Sequence, residues 1–241
     1  MIRDKVISII EESSNIVFFG GAGVSTESGI PDFRSADGIY NSSDSLIPPE
    51  EILSHTFFMK HPHEFYDFYY HHMIFEDAKP GVTHLALARL EQRGKLRAVI
   101  TQNIDGLHQK AGSRNVIELH GTVNSNYCMR CGRFYPLSYI VSFKGDVPVC
   151  EDDGDIIKPK VVLYEEGLDQ DDIMRSVQYI SEADTLIVGG TSLNVYPAAG
   201  LIRYFGGKHL ILINRDETSY DHLAEYVIHD DLSSVFGEFL K

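Results

Sequence analysis

The chain has 241 residues, of which 43% are hydrophobic and 23% are charged, a composition that is ordinary for a folded globular protein. Its 35 acidic and 21 basic residues give a formal net charge of −14. A surface this acidic repels phosphate backbones and anionic lipid, so we expect no nucleic-acid partner and no membrane partner. No apolar run approaches the ~20 residues that a membrane-spanning helix needs.

The N-terminal segment, residues 1–15, spaces Ile2, Val6, Ile9 and Ile10 at helical intervals. It also carries two glutamates and lacks a small-residue cleavage site. We therefore predict a helix of the folded protein and not a signal peptide, and we expect the protein to be cytoplasmic.

Five near-continuous apolar runs are rich in β-branched residues, as expected for strands that are covered on both faces. They occupy residues 15–20, 97–103, 115–121, 184–190 and 209–214. Helical patterns lie between them, including residues 83–94, with Thr83 as the predicted N-cap, and residues 169–183, which begin with acidic side chains. This alternation predicts an α/β fold with a doubly wound, parallel, Rossmann-like sheet.

Two segments interrupt the alternation. Residues 31–80 are rich in Pro, His, Phe and Tyr and show no strand pattern, and residues 122–163 contain all three cysteines. We predict that these insertions form a smaller lobe, the first helical and the second a ribbon. The large lobe would then comprise about residues 1–30, 81–121 and 164–241 of a single domain.

A glycine turn, Gly21-Ala22-Gly23, follows the first predicted strand, which is the context of a dinucleotide-binding loop. Such glycines allow the backbone to approach a pyrophosphate at a helix N-terminus. However, Thr26 replaces the third glycine of the fingerprint, and the expected ribose-binding acid is missing. An ordinary hydride-transfer dehydrogenase is therefore disfavoured, and a turn that serves only strand–helix packing is the alternative.

Polar residues follow the other predicted strands. The sequence TQNID ends at Asp105, His120 precedes a glycine, GGTS ends at Ser192, and Asn214 ends the last run. Because ligands of such sheets bind at the carboxyl ends of the strands, we predict a ligand crevice along this edge. Taken alone, Asp105 could equally be a helix cap.

The cysteines have the spacing of a zinc ribbon, with Cys128-x-x-Cys131 followed by Cys150-x-x-Asp153. An odd number of cysteines in so short a segment argues against a disulfide framework. Two interpretations are open: a structural Cys₃Asp zinc site that is weaker than a four-cysteine site, or a decayed site that is held by packing. The retained spacing favours zinc.

Several motifs occur in a characteristic order: GAGVSTESGIPDFRS, TQNIDGLH, IELHG, the paired cysteines, KPKVVLYEE and GGTSLNVYPAA. Together they resemble the bacterial-type sirtuin family, the NAD-dependent protein deacylases, over nearly the whole chain. The resemblance implies a protein-lysine deacetylase that converts acetyl-lysine, NAD and water to lysine, nicotinamide and O-acetyl-ADP-ribose. A protein ADP-ribosyltransferase and a non-catalytic NAD-sensing module remain as alternatives.

The same resemblance implies roles for individual residues. In sirtuins the segment after the glycine turn closes over NAD, so Phe33 would shield the nicotinamide ribose and Arg34 would reach the phosphates. His120 would be the general base for a ribose hydroxyl, and Asn103 would position a water or a hydroxyl. The other implied NAD contacts are Gly21, Ala22, Gly23, Thr26, Gln102, Ile104, Asp105, Gly190, Thr191, Ser192, Asn214 and Asp231.

The resemblance also implies that an acetylated protein or peptide adds as a strand between two loops, around Val162 and Tyr164 and around Val195. Sirtuins usually have Phe-Gly-Glu where this chain has Tyr164-Glu165-Glu166, which predicts a different peptide preference.

One further substrate contact is implied at Tyr66. This residue stands at the tyrosine position of the Tyr-x-x-Arg pair by which some sirtuins hold a succinyl or malonyl carboxylate. Tyr69 stands at the arginine position, so we predict that neutral acyl groups are preferred.

Overall fold

The structure is a computed structural model that describes residues 1–33, 35, 38–42 and 47–241. No helix within these ranges is both long enough and apolar enough to cross a bilayer.

The described residues form nine strands and ten α-helices. The strands are β1 Ile16–Gly20, β2 Leu96–Thr101, β3 Val116–Glu118, β4 Gly121–Cys128, β5 Phe134–Pro136, β6 Ile157–Val161, β7 Thr185–Gly189, β8 His209–Ile213 and β9 Tyr226–Ile228. The α-helices are α1 Ile2–Glu12, α2 Ile39–Ser42, α3 Pro49–Ile52, α4 His55–Lys60, α5 Pro62–His72, α6 Val82–Gln92, α7 Leu107–Ala111, α8 Leu137–Val141, α9 Gln170–Glu182 and α10 Ser233–Phe236.

Six of the strands form one sheet in the order β3-β2-β1-β7-β8-β9, and every neighbouring pair in it is parallel. The strands β1 and β7 are buried at every position, because helices cover both faces of the sheet. Apolar side chains of α1, α6 and α10 pack on one face, and those of α9 pack on the other. This arrangement confirms the predicted doubly wound parallel α/β fold.

The start of α6 differs from the sequence prediction. Its N-cap is Gly81, so the predicted cap at Thr83 is wrong by two residues. Thr83 is fully buried in the first turn, and its backbone N–H donates to the carboxylate of Glu27 at 2.7 Å. A free backbone N–H at the start of the helix is therefore satisfied by a side chain 56 residues away, and no local sequence pattern predicts this contact.

The remaining three strands form an antiparallel sheet in the order β5-β4-β6. The helices α3, α4 and α5 share its apolar core, which is rich in aromatic rings. We call these elements, with α2 and α8, the small lobe. Its strand β4 begins directly after His120, so the small lobe is joined to the parallel sheet at the carboxyl end of β3.

Candidate functional site

A cavity of about 540 Å³ lies at the carboxyl edge of the parallel sheet, a size that is typical of ligand pockets. Loops that follow β1, β2, β3, β7 and β8 form one side, and residues of the small lobe form the other. The crevice predicted along this edge is therefore present.

Most of the predicted site residues line this cavity. They are Ala22, Gly23, Thr26, Phe33, Gln102, Asn103, Ile104, Asp105, His120, Val162, Tyr164, Gly190, Thr191, Ser192, Val195, Asn214 and Asp231. Gly21 does not line the cavity. It packs tightly against Thr191, since a Cβ at position 21 would lie 2.8 Å from Cβ of Thr191. Arg34 lies outside the residues that the structure describes.

The glycine turn is pressed against the loop after β7. The backbone N–H of Gly23 donates to the carbonyl oxygen of Gly190 at 2.8 Å. A Cβ on Gly23 would lie 2.8 Å from Cα of Gly190, closer than Cβ contacts occur. Gly190 itself has φ +61°, a conformation that favours glycine. The two loops thus form one backbone wall of the cavity.

A buried serine connects the loop after β1 to the loop after β2. The Ser25 hydroxyl, 1% exposed, donates to Oδ2 of Asp105 at 2.7 Å and accepts from Nδ2 of Asn103 at 3.0 Å. The other oxygen of Asp105 accepts from the backbone N–H of Leu107 at 2.8 Å. Asp105 is therefore a cap for the following turn and a member of the cavity network at once. Sequence reasoning missed Ser25, although it lies inside the first motif.

The imidazole of His120 has a defined tautomer. Its Nδ1 lies 3.0 Å from the backbone carbonyl oxygen of Gln102, which can only accept, so Nδ1 carries the hydrogen. Nε2 then holds the lone pair and is the basic nitrogen. Burial lowers the pKa of His120 below its ordinary value, although the hydrogen bond to Gln102 acts in the opposite direction. The side-chain amide of Gln102 in turn donates to Oγ1 of Thr191 at 3.0 Å.

The segment Val162–Glu166, which we call the peptide loop, is held from two sides. The N–H of Val162 donates to the carbonyl of His120 at 2.9 Å. Tyr164 forms a β-bridge with the small lobe, in which its N–H donates to Leu53 O and its C=O accepts from His55 N, both at 3.0 Å. Both polar backbone groups of Tyr164 are therefore used within the chain.

Two glutamates shape the end of this loop. Glu165 adopts φ +76°, which is unusual for a residue with a side chain, and its carboxylate accepts from the N–H of Thr56 at 2.8 Å. Glu166 accepts from the ammonium of Lys158 at 3.1 Å and from the N–H of Leu163 at 2.9 Å. The other carboxylate oxygen of Glu166 lies 2.8 Å from Nδ1 of His55. Burial acts to raise the pKa of Glu166, but the contacts with Leu163, His55 and Lys158 outweigh it and keep the pKa below its ordinary value.

A second contact links this loop to Tyr40 in α2. The hydroxyls of Tyr40 and Tyr164 lie 2.6 Å apart. Tyr40 is also connected to Phe33, because its N–H donates to Phe33 O at 3.0 Å and the two rings meet edge to face at 5.6 Å between centroids. All three aromatic residues line the cavity. Sequence reasoning missed Tyr40.

Tyr66 does not lie where the acyl-pocket prediction requires. It is 1% exposed, it is absent from the cavity lining, and its hydroxyl donates to the carbonyl of Ile157 inside the small lobe. Tyr69 is fully buried beside it. The structure therefore places Tyr66 in the small-lobe core and not at the cavity, and its contact with an acyl group stays a prediction. From α5 and the residues after it, His72, Met73 and Phe75 line the cavity instead.

At the far end of the cavity, Asn214 follows β8. Its side-chain amide donates to the carbonyl of Asp216 at 2.8 Å. Asp231 is paired with the guanidinium of Arg215, and both residues line the cavity.

The four predicted metal ligands also converge. The side-chain ligand atoms of Cys128, Cys131, Cys150 and Asp153 all lie within 4.8 Å of one another. The Sγ atoms of Cys131 and Cys150 are 3.6 Å apart, and Cys128 Sγ lies 3.4 Å from Oδ1 of Asp153. Tetrahedral zinc with Zn–S of ~2.3 Å and Zn–O of ~2.1 Å requires separations of about 3.6–3.8 Å. The two separations given above are close to this range, and all four ligand atoms lie close enough together to converge on one ion.

Asp153 is suited to be the fourth ligand. The backbone N–H of Asp155 donates to its carboxylate at 3.0 Å and is the main cause that lowers the pKa of Asp153 to about 2. The group is thus ionised at neutral pH. None of the four residues lines the cavity described above.

A parallel sheet with a glycine turn at its switch point, next to a cavity that holds an oriented histidine, is the arrangement of a doubly wound nucleotide-binding fold. The Sir2 family profile matches residues 21–197, and the chain belongs to this family. The sirtuin resemblance noted from the sequence is thereby confirmed.

Individual relatives agree. The chain is 60% identical over 233 residues to a Clostridium acetobutylicum protein named NAD-dependent protein deacetylase, over 96% of this chain and 95% of the relative. A Sir2 structure with deacetylated p53 peptide and 3′-O-acetyl-ADP-ribose matches with a TM-score of 0.90 at 40% identity, covering 100% of this chain and 98% of that one. A Sir2 structure with p53 peptide and NAD⁺ matches at 0.86 and 39% identity, with the same coverage.

Proposed function

We propose that this protein is an NAD-dependent protein-lysine deacetylase that forms lysine, nicotinamide and O-acetyl-ADP-ribose. One observation carries the proposal: in a chain of the Sir2 family, Asn103, Asp105 and His120 from two strand ends share one cavity with the glycine turn. The relatives named above support the same activity.

His120 is the proposed general base. With Nδ1 held by Gln102, its Nε2 is free to accept a proton from a ribose hydroxyl of the bound dinucleotide. Asn103, held by Ser25, would orient a hydroxyl or water next to it. Asp105 would accept from the carboxamide of the nicotinamide.

The dinucleotide would lie along the backbone wall formed by Gly23 and Gly190, whose glycines let phosphates approach closely. Thr191 and Ser192 offer hydroxyls at the same end, and Asn214 would hold the adenosine ribose. When bound, NAD supplies the electrophilic C1′ carbon and the nicotinamide leaving group.

The peptide substrate would add as a strand between the peptide loop and the segment around Val195. Matching Sir2 structures that contain p53 peptides support a peptide substrate. Because Tyr164 already uses its N–H and C=O toward the small lobe, the peptide would pair with other residues of that loop.

We propose in addition that Cys128, Cys131, Cys150 and Asp153 hold a structural zinc ion. Three thiols and a carboxylate are ligands that zinc takes, their ligand atoms lie within 4.8 Å of one another, and the set lies away from the cavity. The division into two lobes at the residues given above, and a cytoplasmic location, stay predictions.

The test is incubation of the purified protein with NAD and an acetyl-lysine peptide, with products read by mass spectrometry. We expect loss of one acetyl group from the peptide together with nicotinamide and O-acetyl-ADP-ribose, and no loss without NAD. His120→Ala should bind NAD and give no measurable product, because losing a general base costs ~10²–10⁴ in rate.

Two results would contradict the proposal. Unchanged peptide with intact NAD would favour a non-catalytic NAD-binding module. Label from adenine-labelled NAD that stays on protein, without free lysine peptide, would favour ADP-ribosyl transfer.

A further inference from the structure

Two loops of the cavity, which serve different ligands in the proposed function, are joined by one pair of hydroxyls. Phe33 belongs to the segment predicted to cover the nucleotide, and Tyr164 belongs to the peptide loop. Tyr40 lies between them, bound to Phe33 through its backbone and ring and to Tyr164 through its hydroxyl.

The backbone of Tyr164 is held in a fixed position. Its backbone is paired to Leu53 and His55 at 3.0 Å on each side, so its main chain cannot shift without breaking two hydrogen bonds. Its side chain is 39% exposed and reaches across the cavity rim to Tyr40. Because Tyr164 is fixed, the formation of the hydroxyl contact depends on the position of Tyr40.

Tyr40 is held to the segment that contains Phe33. The N–H of Tyr40 bonds to Phe33 O, and the N–H of Ile39 bonds to Asp32 O at 2.8 Å. These two bonds hold α2 and the Asp32–Phe33 backbone together. A ligand that fixes Phe33 thus also fixes the position of the Tyr40 hydroxyl.

We propose that the Tyr40–Tyr164 hydrogen bond couples nucleotide binding to peptide binding, so that each ligand raises the affinity for the other. The inference rests on the proposed function, since it assumes that both ligands use this cavity. A ligand that orders one loop fixes the hydroxyl to which the other loop bonds. The second ligand therefore loses less conformational entropy when it orders its own loop.

The test uses ADP-ribose, which lacks nicotinamide and cannot turn over, together with an acetyl-lysine peptide. Calorimetry gives the dissociation constant of ADP-ribose with and without saturating peptide, and the ratio is the coupling factor. We expect a factor above one for the wild type. Tyr164→Phe and Tyr40→Phe should each reduce it by about three- to tenfold, the range of one hydrogen bond, and the double variant should reduce it no further.

A matched control exists in the same molecule. The hydroxyls of Tyr196 and Tyr220 lie 2.8 Å apart, and Tyr220→Phe removes one of them without touching Tyr40 or Tyr164. This variant should keep the wild-type factor. Reciprocity adds a second readout, because ADP-ribose must tighten peptide binding by the same factor. A purely structural role would change each single affinity and leave the ratio unaltered.

A wild-type factor of one, or a factor that Tyr164→Phe leaves intact, would overturn the inference. If the wild type meanwhile releases lysine peptide in the NAD assay, only the coupling fails. If it releases none and binds no peptide, the proposed function fails as well.

Discussion

The burial of His120 has a measurable consequence for pH dependence. The mechanism needs the neutral imidazole, which is populated above its pKa. Since burial lowers that pKa, the neutral form persists to lower pH than for an exposed histidine. We expect the acidic limb of kcat/KM to fall below the ordinary histidine value of ~6.5, in a profile measured from pH 5 to 9. A limb well above pH 7 would assign the proton transfer to another group.

Ser25 is the residue whose role sequence reasoning did not find. Its hydroxyl bridges Asn103 and Asp105, and the two hydrogen bonds are made across about 80 residues of chain. Removing a buried partner of this kind costs about 1–3 kcal/mol, which corresponds to about five- to 150-fold.

We therefore expect Ser25→Ala to lower kcat by that factor while the KM for peptide changes little, since Asn103 loses its orientation. Steady-state kinetics with acetyl peptide will measure both. Ser25→Thr keeps the hydroxyl and is the control, which should retain more activity than the alanine variant. Equal activity of Ser25→Ala and wild type would remove Ser25 from the network.

At the scale of elements, the ribbon that contains the cysteines offers the clearest test. Metal binding contributes to folding free energy, and a carboxylate ligand is expected to hold zinc less firmly than a thiolate. Asp153→Cys should raise the thermal midpoint and retain zinc against a chelator longer than the wild type does. Asp153→Ala should do the reverse.

Metal analysis of protein that was purified without chelator gives the occupancy in each case, with about one zinc per chain expected for the wild type. Wild-type protein without zinc, and with the same thermal midpoint as Asp153→Cys, would instead favour a ribbon that is held by packing alone.

The sequence predicted the strands of the parallel sheet well, with one exception. Five of the six parallel strands lie within the predicted apolar runs or one residue away from them, because a strand buried on both faces must be apolar throughout. Strand β9, Tyr226–Ile228, was missed: it has three residues, of which two are only partly buried.

The position of Tyr66 away from the cavity was not predicted, for a different reason. Aromatic residues recur along α5 at helical spacing, and this pattern predicts a buried face without saying what buries it. The face could pack on the cavity or on the small-lobe core, and the structure places it in the core. The position depends on how β6 packs against α5, which no property of the helix sequence records.

At the scale of the whole molecule, the cavity lies where the parallel sheet and the small lobe meet. The parallel sheet contributes its strand ends, and the small lobe contributes Leu53, Met73 and the rim at Tyr40. Sequence reasoning found the first set because polar residues after apolar strands are conspicuous. It missed most of the second, since contacts between units depend on tertiary packing.

The contact between Gly23 and Gly190 bears on how such proteins vary in evolution. A side chain on Gly190 would meet Gly23 C at 2.8 Å and the Val24 nitrogen at 2.6 Å, and one on Gly23 would meet the Gly190 backbone. No substitution can make a backbone smaller, so neither change can be rescued at the partner position. Among related sequences this contact would leave no correlated substitutions, and methods that infer proximity from paired changes would miss it.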